Sequence, residues 1–100
     1  MIIVAGHLTI NPDHRQAAEA AIRVCVAETR AEPGNIDYRF SPDLDDPNRI
    51  NLIEQWTDDD AMTVHMGSAH LAAFMTAIGS CVDGSVEVIR YDVSGSSPLF

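Results

Sequence analysis

Arg49 to Trp56 reads as a strand that carries a carboxylate, Glu54, and a tryptophan, Trp56, on alternate positions. Ile50, Leu52, Glu54 and Trp56 share one face; Asn51, Ile53 and Gln55 share the other. A carboxylate therefore sits between a leucine and the only tryptophan of the chain, on a face that otherwise reads as core. Thr57 reads as the N-cap of a helix. Asp58, Asp59 and Asp60 fill its first turn, where negative charge matches the positive end of the helix dipole. A short helix that doubles back from there would bring His65 over Glu54.

The rest of the chain supplies the partners. Ile2 to Ile10 reads as a strand, apolar on both faces, and therefore central in its sheet. Asn11 caps a helix with Pro12 at its first position, running to about Glu32. Ala18, Ala21, Ile22, Cys25 and Thr29 give its apolar stripe. Glu32-Pro33-Gly34-Asn35 ends it. Ile36 to Ser41 is a second strand with Ile36, Tyr38 and Phe40 on one face, and Pro42 to Asn48 is a polar hairpin connection. After Gly67, Ser68 caps a helix from Ala69 to about Cys81, with Leu71, Phe74, Met75 and Ile78 on its apolar face. Val82-Asp83-Gly84 reads as a turn and Ser85 to Val93 as the last strand.

The order β-α-β-β-α(α)-β is that of an α+β, ferredoxin-like antiparallel sheet with helices on one face. Residues 1–94 form the domain and 95–100 a C-terminal tail, in which Leu99 and Phe100 are placed to dock on a neighbour. Helices on one face leave Ile3, Ala5, Ile53, Ile89, Tyr91 and Val93 uncovered on the other. A patch of that size is best buried by a second copy, so the pattern predicts a homodimer packed sheet to sheet.

Composition narrows the chemistry. The net charge is −9 and no basic patch offsets it, so nucleic acid and anionic membranes are excluded as partners. All 6 basic residues are arginine, which rules out Schiff-base chemistry by a lysine side chain. There is no P-loop, no nucleophile elbow and no dinucleotide-binding glycine run. Cys25 and Cys81 read as two buried free thiols. The apolar start Met1 to Ala5 lacks a basic lead and breaks at His7, which reads as a cytoplasmic chain without a membrane span.

Two readings of Glu54 stand at this level. It lies at a frayed edge or pairs with an arginine, or it is a buried carboxylate that orients a histidine or accepts a proton. His65 is either a helix-end histidine held by the dipole or the base of a Glu54–His65 pair. Tyr38, Trp56, Phe74 and Met75 either belong to an ordinary core or line an apolar cavity. His65 and His70 are five apart, which on an unbroken helix turns them away from each other, and no second carboxylate or cysteine is seen to complete a metal set. The expectation is therefore no metal and no cofactor.

Leu52-Ile53-Glu54-Gln55-Trp56, followed by Ala61, His65, Ser68, His70 and Phe74, resembles the antibiotic biosynthesis monooxygenase family, with its quinol monooxygenase branch as the nearest look-alike. The Glu32-Pro33-Gly34 turn and Tyr38 also fit. The resemblance implies a dimeric ferredoxin-like α+β barrel. It also implies cofactor-independent oxidation of a quinol or similar electron-rich aromatic by molecular oxygen, in a dry cleft between sheet and helices. It places His65, Glu54 and Trp56 in catalysis, and Tyr38, Leu52, His70, Phe74 and Met75 against the substrate. Anthrone-deprotonating members carry an asparagine close before the tryptophan; Asn51 is near but on the opposite face. Haem-degrading members have an asparagine and a histidine where Gly6 and Met75 stand here, so haem degradation is not expected. The family also includes an isomerase of a phosphorylated metabolite, which would use the same Glu–His pair and draw on Arg39, Arg49 or Arg90 for the phosphate. A non-catalytic dimeric small-ligand-binding protein is the third reading.

Overall fold

The computed structural model describes residues 1–100 and consists of β1 (Ile2–Ile10), a 3-10 turn (Pro12–His14), α1 (Arg15–Arg30), β2 (Asn35–Pro42), β3 (Arg49–Trp56), α2 (Asp59–Met66), α3 (Ala69–Gly79) and β4 (Val82–Asp92). The four strands make one antiparallel sheet in the order β2-β3-β1-β4. This is the ferredoxin-like α+β fold expected from the element order. No helix is long and apolar enough to cross a membrane.

The alternation of β1 and β3 sorts the two sides of the sheet as expected. Ile2, Val4, Leu8 and Ile10 of β1 and Ile50, Leu52, Glu54 and Trp56 of β3 are buried beneath the helices. The helices add Ala18, Cys25, Phe74 and Ile78 to that core. On the other side Ile53, Ile89 and Tyr91 are exposed, with Ile3 and Ala5 between them. Gly6 lies where β4 approaches closest: a Cβ there would stand 1.9 Å from the Glu87 carbonyl oxygen, so β1 and β4 can pair at this point only around a glycine.

Local departures from the expected boundaries have identifiable causes. Asn11 does cap, its side chain accepting from the Asp13 N–H at 3.0 Å, but it closes a tight turn through His14, so the α-helix begins at Arg15. In β2 the register shifts between Asn35 and Asp37 and throws Ile36 out to solvent, leaving Tyr38 and Phe40 to face the core. The Asn35 amide bonds the carbonyls of Asp37 and Gln55 at that shift. Asp58, not Thr57, is the N-cap of α2: its carboxylate accepts from the Ala61 N–H at 2.9 Å, while Thr57 donates its own N–H to Gly34. Val82-Asp83-Gly84 is not a turn but the start of β4, with an irregular register opposite Leu8–Ile10 and Gly84 at φ +104°. On α3, Phe74 and Ile78 are buried as expected, but Met75 is 61% exposed.

Candidate active site

Between the sheet and the two C-terminal helices lies a cleft of about 720 Å³. Its walls are Val4 and Leu8 of β1, Leu52 of β3, Met62 and Met66 of α2, Leu71, Phe74, Met75 and Ile78 of α3, and Val86 and Val88 of β4. Tyr38, Glu54 and His65 stand among these apolar walls. Arg90 is at the rim, where it donates to Asp59 at 2.7 Å and to Asp92, tying β4 to the start of α2.

Glu54 faces the helices because β3 alternates, and its strand neighbours are Val4 on β1 and Tyr38 on β2. Trp56, two residues on and on the same face, donates its indole N–H to Glu54 Oε1 at 3.2 Å. Burial pushes the Glu54 carboxyl up to about 7; the Trp56 bond pulls the other way, and the charge of Glu32 adds to the rise. Burial likewise raises the Tyr38 phenol above its ordinary value, helped by the Cys25 thiol 3.5 Å from its oxygen.

His65 is 1% exposed and sits in the last turn of α2. The elbow after it is fixed by Ser68, whose hydroxyl donates to the His65 carbonyl at 2.7 Å and accepts from the Leu71 N–H. The His65 ring lies 4.6 Å from that of Trp56, tilted by 37°. Its Nδ1 is 2.6 Å from Glu32 Oε2, and its Nε2 is 3.8 Å from Glu54 Oε1. A carboxylate only accepts, so Nδ1 carries a proton, and in the neutral ring Nε2 turns its lone pair toward Glu54. His70 Nε2 reaches the same Glu32 oxygen at 3.0 Å.

Glu32 arrives there because of the turn that ends α1. Gly34 takes φ +86°, open to glycine, and a Cβ on it would come within 2.5 Å of the Ala61 Cβ. The turn and α2 are therefore packed close, and Glu32 points at the end of α2. Glu32, His65 and His70 offer one carboxylate oxygen and two imidazole nitrogens, all within 4.8 Å of one another, a donor set of the kind that holds a transition metal.

Of the residues singled out in the sequence, Glu54, His65, Tyr38, Leu52, Phe74 and Met75 all line the cleft. Trp56 and His70 do not. Trp56 is fully buried beneath Glu54 and His65, and His70 approaches Glu32 rather than the cavity. The carboxylate that holds the His65 ring is Glu32, whereas the sequence pointed to Glu54. His65 and His70 converge because the helix breaks at Gly67 and Ser68, and a carboxylate other than Glu54, that of Glu32, joins them. The signal for Glu32 was its place immediately before a Pro-Gly turn, but nothing local ties it to residues more than thirty positions later.

The structure is thus a ferredoxin-like sheet with an apolar cleft under its helices, whose lining includes an acidic and an imidazole side chain. The profile of the family described as "Antibiotic biosynthesis monooxygenase" matches residues 1–77, and the chain belongs to that family. It is 26% identical over 94 residues to YcnE of Bacillus subtilis (strain 168), a protein named as a candidate monooxygenase; the match covers 94% of this chain and 99% of YcnE. The solved structure of PA3566 from Pseudomonas aeruginosa is 29% identical, with a TM-score of 0.81 over 93% of this chain and 94% of that one. Rv0793 from Mycobacterium tuberculosis, 24% identical, shares the fold with a TM-score of 0.87 over 97% of this chain and 98% of its own.

Proposed function

We propose that this chain is a cytoplasmic, cofactor-independent monooxygenase that oxidises a quinol or a similar electron-rich aromatic with molecular oxygen. The observation that carries the reading is the apolar cleft of about 720 Å³ whose lining includes Glu54 and His65, with His65 Nε2 3.8 Å from Glu54. A flat aromatic fits between the apolar walls with a hydroxyl toward that pair. His65 Nε2 takes the phenolic proton while Glu32 holds the ring at Nδ1. The phenolate so formed is a strong enough reductant to meet oxygen directly. One oxygen atom enters the ring, the other leaves as water, and the quinol supplies the two electrons this requires. Trp56 acts through Glu54 as a positioning residue, and His70 acts on Glu32.

The same reading includes a homodimer through the sheet face bearing Ile53, Ile89 and Tyr91, all of them exposed in one chain. An isomerase of a phosphorylated metabolite draws less support. Arg39 is bound to Asp37 and Arg49 contacts His7 and Asn51, both away from the cleft, and Arg90 is engaged by two aspartates.

The test is oxygen consumption by the purified protein with a panel of reduced quinones. Turnover that is lost in His65→Ala supports the proposal. Tight binding of the same quinols with no oxygen uptake would leave a binding protein instead.

A further inference from the structure

One carboxylate oxygen accepting from two imidazoles is more than orientation of His65 requires, since a single Glu32–His65 bond would fix that ring. We propose that Glu32, His65 and His70 form a zinc-binding site that switches off the cleft base when it is filled.

The chemistry of the donors suits zinc, which takes imidazole nitrogen and carboxylate oxygen, and three protein ligands leave a fourth position for water. The donors come from three separate elements, the turn after α1, the end of α2 and the first turn of α3. The elbow between the last two is already braced by Ser68. The contacts are now 2.6 Å and 3.0 Å, distances for N–H donation to oxygen. Around a tetrahedral zinc the ligand atoms stand about 3.3 Å apart, so to admit the ion the two contacts to Glu32 must open by a few tenths of an ångström and the two imidazole nitrogens, within 4.8 Å of each other, must settle to the same spacing. Of the two imidazoles His70 is the one open to solvent: its side chain is 19% exposed, against 2% for His65. The net charge of −9 favours a cation.

Zinc at this position replaces the two protons that Glu32 now receives. The effect on His65 follows from the tautomer. With zinc on Nδ1, the one ring proton moves to Nε2, the atom facing Glu54 and the cleft. Nε2 then donates and no longer accepts, so it cannot take a proton from a ligand. This consequence rests on the proposed function above; the binding itself does not.

The experiment uses the full chain stripped of metal with a chelator and titrated with Zn²⁺ alone by calorimetry, with mass spectrometry to count bound ions. Parent, His70→Ala and Glu32→Gln are compared, each checked for folding by circular dichroism. His70 is the variant of choice because the Glu32–His65 bond survives it. The expected result is stoichiometric, saturable zinc in the parent. In both variants affinity falls by more than about 100-fold, since even an outer-shell partner of a metal ligand is worth up to that much. Thermal melts add a second readout: zinc raises the melting temperature of the parent and not of folded His70→Ala. No saturable binding by the parent, or equal binding by His70→Ala, overturns the site, the latter by placing the ion elsewhere. Nitrogen-15 spectra of the histidines then test the switch. Movement of the His65 proton from Nδ1 to Nε2 on adding zinc supports it, and an unchanged tautomer with zinc bound overturns it. None of these readouts needs turnover, so a chain that oxidises no quinol would remove the proposed reaction and leave the zinc result standing.

Discussion

His65 stands 2.6 Å from Glu32 through Nδ1 and 3.8 Å from Glu54 through Nε2. The two carboxylates are therefore not equivalent. Glu32 is at hydrogen-bond distance and sets which nitrogen of the ring is bare. Glu54 is beyond hydrogen-bond distance, buried, and held by Trp56, so it acts on the ring through charge alone.

That division predicts distinct pH profiles. If His65 is the base, its neutral form is the active one, and turnover rises with pH. His65→Ala should lower turnover by about 10² to 10⁴, the usual worth of a positioned base. Glu54→Gln removes a carboxyl that itself titrates near 7 beside Nε2, so the inflection it adds to the profile in that range should disappear. Glu32→Gln should lower the plateau more than Glu54→Gln does, because a neutral amide can also donate to Nδ1 and fix the wrong tautomer. Rates against pH for the three variants decide it; a profile that Glu54→Gln leaves in place removes Glu54 from the pair.

The raised carboxyl of Glu54 also makes a stability prediction that needs no substrate. In the unfolded chain this group titrates near its ordinary value of 4.5, and in the folded chain near 7. Between those values the native state holds the extra proton, so stability falls as pH rises from about 4.5 to about 7 and is flat beyond. The loss is at most on the order of 3 kcal/mol. Glu54→Gln keeps an acceptor for the Trp56 N–H and carries no charge. It should match the parent below pH 4.5 and exceed it above 7, as read by urea melts across the range.

Trp56 should behave as a stability residue first. It is fully buried and does not line the cleft, so Trp56→Ala is expected to cost roughly 3–5 kcal/mol. Trp56→Phe is the sharper probe. It keeps an aromatic ring beside His65 but deletes the donor that pulls the Glu54 carboxyl down. The Glu54 carboxyl should then titrate above 7, a shift carbon-13 spectra of the side chain can follow. An unchanged titration would mean that the indole bond has no influence on it.

The parts of this molecule legible in its sequence are those where period and packing coincide. The alternation in β3 put Glu54 beside Trp56 and both under the helices, and the apolar character of β1 on both faces made it central. What could not be read depends on breaks in the period or on distant pairing. The register shift at Asn35 removes Ile36 from its stripe, and the irregular pairing at Ile10 turns an apparent loop at Val82–Gly84 into strand. Glu32 was invisible for a different reason: its meeting with His65 and His70 depends on how closely the Gly34 turn packs on Ala61, a tertiary contact with no local signature.

The uncovered sheet face makes a prediction about assembly. Ile53 is 40% exposed and Ile89 41%, and they pair with Ala5 from either side on neighbouring strands. Tyr91 extends the same patch next to Ile3. Polar groups on that face, such as His7 with Arg49 and Ser85, already bond each other and so do not oppose burial. Light scattering should give the mass of two chains at micromolar concentration. Ile53→Arg replaces a side chain that touches solvent in the single chain, so the fold of one protomer loses little by it. In a dimer the same change buries an unpaired charge, which is strongly unfavourable. The variant should therefore run as a folded monomer, or unfold at lower denaturant if the protomer depends on its partner. A parent that is monomeric at that concentration, or an Ile53→Arg variant that stays dimeric with unchanged stability, would place the interface elsewhere or remove it.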